Sequence, residues 1–575
     1  MIKLNIYFMS FLSIQLGILF LYINSKNLLD ASGLLPISIF LIIIPAMINY
    51  LNIGNFKLSP FKSLSLLILP LIFMNYIYYI KAGAPVGFSD PHYHIFTYTY
   101  LLDEYYKIDF TSIMNISFNF VGLYILFKFI EVLSGLDIIQ LACFLPPILN
   151  MIIVLLCYVI VNRLLSQDEA LFATMLYGWQ YYVILFGQEM RTQTMGVILI
   201  FSFVGVILIS QDLQIIENDY PANIKIVSLL LLFGIVTASF VTIFYTSIMI
   251  LTMLLCSVLS LHIAALKFKN PCITVQIFII FVAFFISYLL YIGSSFLDVF
   301  STILLLVKRT ILSTDDLIVP SILSSAGGDV ASPVAGIFAY YVNHLLLLLF
   351  IIFSIVYVMY FFNRKSTMHL IFFISFGALV SLWFYSIIFQ LYFSPGRLYA
   401  IAFLLIATVI SFGFKRVQIL LEKNHEKYPI MFYKICLILV MVMLVSASII
   451  QNTNYVIGET APFRSIEYID GTYYWDKNEP LYSLTSFLFS CAYNQTIYLN
   501  ILLVNYYFLD VCKLKYLSIS KYAFEKNKAK YNNLIILHDK FKAQYYSYRY
   551  ILPSPTYYIS LNKIYSNDDY LLFAV

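Results

Sequence analysis

The sequence predicts an α-helical polytopic membrane protein of about thirteen transmembrane helices, followed by a small extracytoplasmic α+β domain. Three observations carry that prediction. Mean hydropathy is +0.88 and only 11% of the 575 residues are charged, where soluble chains carry about 25%. Apolar runs of about 20 residues, the length that crosses a bilayer as a helix, recur from the N-terminus to residue 450. After Gln451 the composition shifts: Lys, Asn, Asp and Tyr rise and no uninterrupted apolar run of that length survives. Residues 1–450 are therefore read as the membrane domain and 451–575 as the extracytoplasmic one.

The expected spans are 5–24, 33–51, 61–80, 137–161, 169–187, 193–210, 226–242, 244–264, 273–292, 337–361, 368–390, 398–413 and 430–450. The first is a span and not a cleaved signal, because Lys3 is its only positive flank and no small-residue cleavage site follows. Residues 226–264 form one apolar stretch, too long for one helix, and the split is expected near Phe244-Tyr245-Thr246.

Orientation follows from basic residues in short loops. Lys57, Lys62, Arg163, Lys267, Lys269, Arg364, Lys365, Lys415, Arg416, Lys423 and Lys427 fall on one side, read as cytoplasmic along with the N-terminus. The outer side, poorer in charge, then holds loops 81–136, 188–192, 293–336 and 391–397 and the tail, in what is expected to be the plasma membrane. Residues 117–133 are apolar but carry Lys128 and Glu131. A charge near the bilayer centre costs about 2.5–3.5 kcal/mol on insertion scales, so this segment is read as an interfacial helix on the outer leaflet.

In the tail, Leu534-Ile-Ile-Leu537 and Tyr557-Tyr-Ile-Ser-Leu561 read as short buried strands. The triplets Asn115-Ile-Ser117 and Asn494-Gln-Thr496 are glycan-acceptor sequons, a pattern also common by chance. Cys491 and Cys512 could pair there; Cys143, Cys157, Cys256 and Cys436 lie in apolar runs, and no zinc-type spacing occurs. A net charge of +5 without a basic run excludes nucleic acid as a partner.

Chemistry is concentrated in the outer loops. Gly87-Phe-Ser-Asp-Pro-His-Tyr-His94 follows the third span and sets Asp90 beside His92 and His94. Ionisable residues at a membrane edge are functional candidates because water does not solvate them freely. Ser89-Asp90-Pro91 is equally a helix start, with Asp as N-cap and Pro at the first helical position of a helix reaching about Tyr106. That geometry puts His94 near the side of Asp90 and turns His92 away. Glu189-Met190-Arg191 forms a short turn on the same outer face, where Gly, Asn or Ser would suffice for turning. Two carboxylates converging there, Asp90 and Glu189, suit an activated acceptor or a divalent cation, Mg or Mn, with His94 as a third ligand. Arg397, in Ser394-Pro-Gly-Arg397, reads as a snorkelling anchor or as a phosphate grip. Lys308, Arg309, Asp315 and Asp316 lie in the long 293–336 loop, where a solvated loop is the simpler reading. Tyr340, Tyr341, Asn343 and His344 line a cavity or anchor the helix; His262, His369 and His425 fall on the inner side without an assigned role.

This layout resembles the GT-C superfamily of membrane glycosyltransferases. The acid in the first large outer loop (Asp90), the interfacial helix after it, the second acid between later spans (Glu189) and an outer soluble tail all match that plan. Leu133-Ser-Gly-Leu-Asp137, Leu145-Pro-Pro147, Val161-Asn-Arg163 and the ending Asn562-Lys-Ile-Tyr-Ser-Asn567 are similar in layout to such proteins. The resemblance implies inverting transfer of a sugar from a polyprenyl-phosphate donor to an extracytoplasmic acceptor. Asp90 would be the base and Arg191 or Arg397 would hold the phosphate. Glu189 would orient the acceptor or bind a cation, and His92, His94 and Arg309 would be further substrate contacts. Asp90 is followed by histidines and not by a second carboxylate, which departs from families with an acidic pair. No WWDYG-like motif occurs in the tail, which argues against transfer to protein asparagine. Rival readings are a lipid-linked glycan transporter or flippase, a polysaccharide polymerase or ligase of another fold, and a structural or sensory membrane protein. A transporter would be expected to show broken helices or charges near the midplane. The sequence shows neither.

Overall fold

The computed structural model describes residues 2–25, 37–39, 41–42, 59–82, 122–136, 138–188, 190–217, 222–262, 275–291, 333–364, 366–388, 395–423 and 427–457, with strand residues 497–499, 516–518, 535–539, 562–566 and 570–574. The helices are α1 (Ile2–Ser25), α2 (Pro60–Ala82), α3 (Gly122–Ser134), α4 (Ile138–Leu164), α5 (Gln167–Gly178), α6 (Tyr181–Gln188), α7 (Thr192–Glu217), α8 (Ala222–Ala238), α9 (Phe240–His262), α10 (Val275–Tyr291), α11 (Pro333–Asn363), α12 (Thr367–Ile388), α13 (Pro395–Lys423) and α14 (Lys427–Ile457). Among them, the apolar parts of α4, α7, α11, α13 and α14 are long enough to cross a bilayer, and six more apolar helices are shorter. The protein is a multi-pass membrane protein.

The bundle is organised around α13, which packs on α5, α6, α11, α12 and α14. Its residues 398–414 are all buried, whereas α11 and α14 expose much of their apolar length, so those two face outward and α13 is enclosed. An all-round apolar helix is what such a position requires. Gly413 permits a close approach: a Cβ there would lie 2.1 Å from Cγ of the Phe353 ring of α11. Small residues let backbones approach where lipid offers no hydrophobic drive between helices. Thr408 returns its hydroxyl to the Leu404 carbonyl at 2.6 Å, which lets a hydroxyl sit fully buried.

Buried polar side chains tie the other helices. Asn150 Nδ2 of α4 donates to Asn75 Oδ1 of α2 at 2.8 Å, and Asn75 Nδ2 donates to the Leu71 carbonyl at 2.8 Å. Pro70 inside α2 and Pro146-Pro147 inside α4 do not end their helices, because packed neighbours keep the freed backbone groups out of lipid.

Several sequence expectations change. The span expected at 169–187 is two helices, α5 and α6, interrupted at Trp179-Gln180. The 226–264 stretch divides at Ser239, not near Phe244-Tyr245-Thr246, which lie inside α9. Ser239 leaves the helical path and its carbonyl accepts from Ile243 N–H at 3.1 Å and Thr242 Oγ1 at 2.8 Å, so it starts α9. Within 117–133, the described helix is α3, whose 13 residues reach only about 20 Å, short of a 30 Å hydrocarbon core. Lys128 and Glu131 pair on its exposed side at 2.7 Å. The expected span 33–51 lies mostly outside the described residues, as do the helix expected from Pro91 to Tyr106, the loop 293–332, Cys491 and Cys512.

Beyond Ile457 the described elements are five strands: β1 (Ile497–Leu499), β2 (Tyr516–Ser518), β3 (Ile535–Asp539), β4 (Asn562–Ser566) and β5 (Tyr570–Ala574). They form one sheet in the order β2-β1-β3-β5-β4, with β1 parallel to β2 and β3 and β5 antiparallel to β3 and β4. The strand expected over 534–537 overlaps β3; residues 557–561 lie outside the described set.

Candidate functional site

The turn between α6 and α7 is the best-anchored functional segment among the described residues. Met190 sits in it, 1% exposed, between Glu189 and Arg191. It packs in a cluster with Leu123, Tyr124 and Phe127 of α3 and Leu141, Ala142, Leu145 and Leu149 of α4. The amphipathic α3 buries its Leu123/Tyr124/Phe127 side into this cluster and exposes Ile125, Phe129, Val132 and Leu133. A Cβ at Gly122 would press on the Thr237 carbonyl of α8 at 3.1 Å, so α3 starts hard against the end of α8. The start of α3 is thereby pinned to the turn that bears Arg191. The Arg191 carbonyl accepts from Thr194 N–H at 3.1 Å as α7 begins, and the Arg191 side chain is half-buried.

The same end of the bundle is shaped by α6 and α13. Tyr182 packs edge-on to Tyr399 (ring centroids 5.8 Å), and Tyr399 contacts Trp383 of α12 at 4.6 Å. Arg397 lies in the first turn of α13, two residues before Tyr399; its side chain lies outside the described set. Pro395 opens the helix, where its missing N–H is not needed.

Between these two ends the interrupted crossing is held by polar contacts. Gln180 is fully buried and caps α6: its Oε1 accepts from Tyr182 N–H at 2.5 Å, and its carbonyl from Val183 and Ile184 N–H at 3.0 and 3.1 Å. Its Nε2 donates to Asn343 Oδ1 of α11 at 3.3 Å, and Ser448 Oγ of α14 donates to the Trp179 carbonyl. The midspan break that sequence reading did not find is thus internally satisfied. Its only signal was a Gln in an apolar run, directly after Gly178-Trp179. Asn343 bonds into the bundle while Tyr341 is exposed.

The opposite end gathers basic and aromatic residues. His369 Nδ1 bonds with Ser366 Oγ at 2.6 Å and Nε2 with the Leu164 carbonyl at 2.5 Å, while its ring stacks on Phe361 at 3.7 Å. Glu169 Oε2 accepts from Ser166 N–H at 2.9 Å and Ser166 Oγ at 2.5 Å, a cap that starts α5. Ser411 Oγ reaches the Glu169 carbonyl at 2.6 Å, and Lys415 faces Asp168 at 3.8 Å.

Of the candidate catalytic, substrate-binding and cation-binding residues, Arg191 and the backbone of Arg397 are described. Asp90, His92, His94, Glu189 and Arg309 lie outside the described residues, as does the carboxylate–histidine set that would hold a cation. Among the described residues there is no group of three His, Cys, Asp or Glu side chains suited to a metal.

No family model and no curated protein matches the sequence. Solved structures do. ArnT from Cupriavidus metallidurans in the apo state superposes with a TM-score of 0.52 at 7% identity, covering 89% of this chain and 97% of its own. The apo oligosaccharyltransferase of Archaeoglobus fulgidus superposes with a TM-score of 0.50 at 9% identity, covering 84% of this chain and 70% of its own. The fold is that of the GT-C membrane glycosyltransferases. At such identity the likeness is one of architecture.

Proposed function

We propose that this chain is a membrane glycosyltransferase that moves a sugar, with inversion, from a polyprenyl-phosphate donor to an extracytoplasmic glycan, lipid or protein acceptor. The observation that carries the reading, beside the GT-C fold, is the burial of Met190 against α3. It ties α3, which follows the first long loop in sequence, to the segment that carries Met190 and Arg191, and this supports the reading that loop and turn contribute to one site.

In this reading Asp90 removes the proton from the acceptor hydroxyl. The departing polyprenyl phosphate carries its charge already, so the main demand is to stabilise that charge; Arg191, and Arg397 at the positive end of α13, are suited to it. Glu189 orients the acceptor, with His92, His94 and Arg309 as further substrate contacts. A divalent cation, Mg or Mn, would fall to Asp90, Glu189 and His94. The N-terminus is cytoplasmic, and residues 451–575 form an extracytoplasmic α+β domain, a reading supported by their five paired strands.

The break at Trp179-Gln180 favours a second reading, a flippase for a lipid-linked glycan, since broken helices mark transport sites. Its polar groups are met by Asn343 and Ser448, however, which supports a structural role.

The test is transfer of labelled sugar from a polyprenyl-phosphate donor by the purified protein. Wild type is expected to transfer and Asp90→Asn to lose about 100-fold or more. Full activity in Asp90→Asn removes the base. Lipid movement across vesicles without transfer by wild type establishes the flippase instead.

A further inference from the structure

The end of the bundle opposite the Arg191 turn holds an arrangement that sugar transfer does not use. Arg364, just past α11, lies over the ring of Tyr360 at 4.5 Å from its centroid. Arg416, from α13, lies over the same ring at 4.0 Å and over Phe412 at 4.8 Å. Two cations from separate helices thus share one aromatic ring, and neither has a carboxylate partner among the described residues. Stacking occupies the flat faces of a guanidinium and leaves its N–H donors at the edge, where they suit tetrahedral oxyanions. Arg416 Nε is buried and lacks a hydrogen-bond partner. A buried charged donor without an acceptor is unfavourable, and two like charges on one ring add to that. Arg364 is solvent-exposed, so the pair is open from one side.

We propose that Arg364 and Arg416, held by Tyr360 and Phe412, form a phosphate-binding site for the headgroup of an anionic phospholipid in the leaflet at this end of the bundle. The position fits: both arginines lie where apolar crossings end, with the exposed apolar residues Met359 and Phe362 beside them to meet acyl chains. One phosphate oxygen would accept from the terminal NH2 groups of the Arg416 guanidinium and another from Arg364. Free inorganic phosphate has the same chemistry, and the experiment separates the two sources.

The full-length protein in neutral detergent is offered phosphatidylglycerol, phosphatidylcholine or inorganic phosphate, and retained lipid is counted by native mass spectrometry. The variants are Arg364→Gln with Arg416→Gln together, and Lys423→Gln, an exposed basic residue at the end of the same helix, as control. Wild type and Lys423→Gln are expected to retain phosphatidylglycerol at least about fivefold over phosphatidylcholine, and the double variant to lose that preference, a difference within what charge-assisted bonds provide. Displacement of the lipid by millimolar phosphate also supports the site and assigns it to free phosphate. Equal retention of both lipids by wild type with no effect of phosphate, or undiminished preference in the double variant, overturns it. Should the double variant not fold, dicarbonyl labelling of wild type decides: protection of Arg364 and Arg416 by phosphatidylglycerol alone is expected, and equal labelling with and without it overturns the proposal.

Discussion

Met190 and Tyr124, each 1% exposed, lie in one apolar cluster although 65 residues of chain separate them by number, and this cluster joins the first loop's return helix to the α6–α7 turn. The contact is apolar, yet its neighbours in sequence, Glu189 and Arg191, are ionisable. Packing here sets the position of charge.

Truncating that anchor is therefore expected to act twice. Met190→Ala removes a buried side chain and costs about 2–5 kcal/mol, whereas Met190→Leu costs under about 1.5 kcal/mol. Unfolding midpoints in detergent measure the first effect. Sugar transfer measures the second, and it is expected to fall further for Ala than for Leu when both are assayed folded.

Asn75 and Asn150 make the one polar tie between α2 and α4 for which both side chains are described as buried. Side-chain hydrogen bonds between membrane helices average about 0.6 kcal/mol and reach about 1.7. A double-mutant cycle with Asn75→Leu and Asn150→Leu is expected to give a coupling in that range. Strict additivity would show the bond to be energetically idle.

At Gly413 the expected outcome is steric. Gly413→Ala drives a methyl into the Phe353 ring and destabilises by about 1–3 kcal/mol. Phe353→Leu in the same chain makes room, so the double variant is expected to be more stable than Gly413→Ala alone. Thermal unfolding of the three variants checks the order.

Gln180→Leu deletes the cap of α6 and its bond to Asn343. The loss is about 0.5–2 kcal/mol, the range for a helix N-cap. Hydrogen exchange is expected to accelerate at the Tyr182, Val183 and Ile184 amides, and to stay unchanged at the amides of α13.

These features differ in how far the sequence reveals them. Apolar runs such as 398–413 and 430–450 are legible because a bilayer sets helix length locally, residue by residue. The amphipathic character of 117–133 is legible for the same reason: Lys128 and Glu131 sit in the run itself. The break at Trp179-Gln180 is not, since the groups that hold it lie 163 and 269 residues away, at Asn343 and Ser448. Nor is the division at Ser239, one hydroxyl residue among many, whose carbonyl accepts from Ile243 N–H and Thr242 Oγ1 as α9 begins. In the site, an acid and a guanidinium two residues apart, Glu189 and Arg191, could be read from the sequence, but the burial of Met190 between them could not. An apolar residue in a turn shows its purpose only when α3 is seen against it.

The enclosure of α13 has a consequence for how the chain is made. Translation delivers α5 and α6 more than two hundred residues before α13, yet α5 makes an extensive contact with α13 and α6 a smaller one. The sides that make those contacts must rest against lipid or an insertion factor until residue 395 emerges, and the bundle closes late, around a guest that arrives after its hosts. A nascent chain arrested before Pro395 is expected to leave α5–α6 open to protease and to cysteine labelling. Release of the next thirty residues should shut both reactions off together.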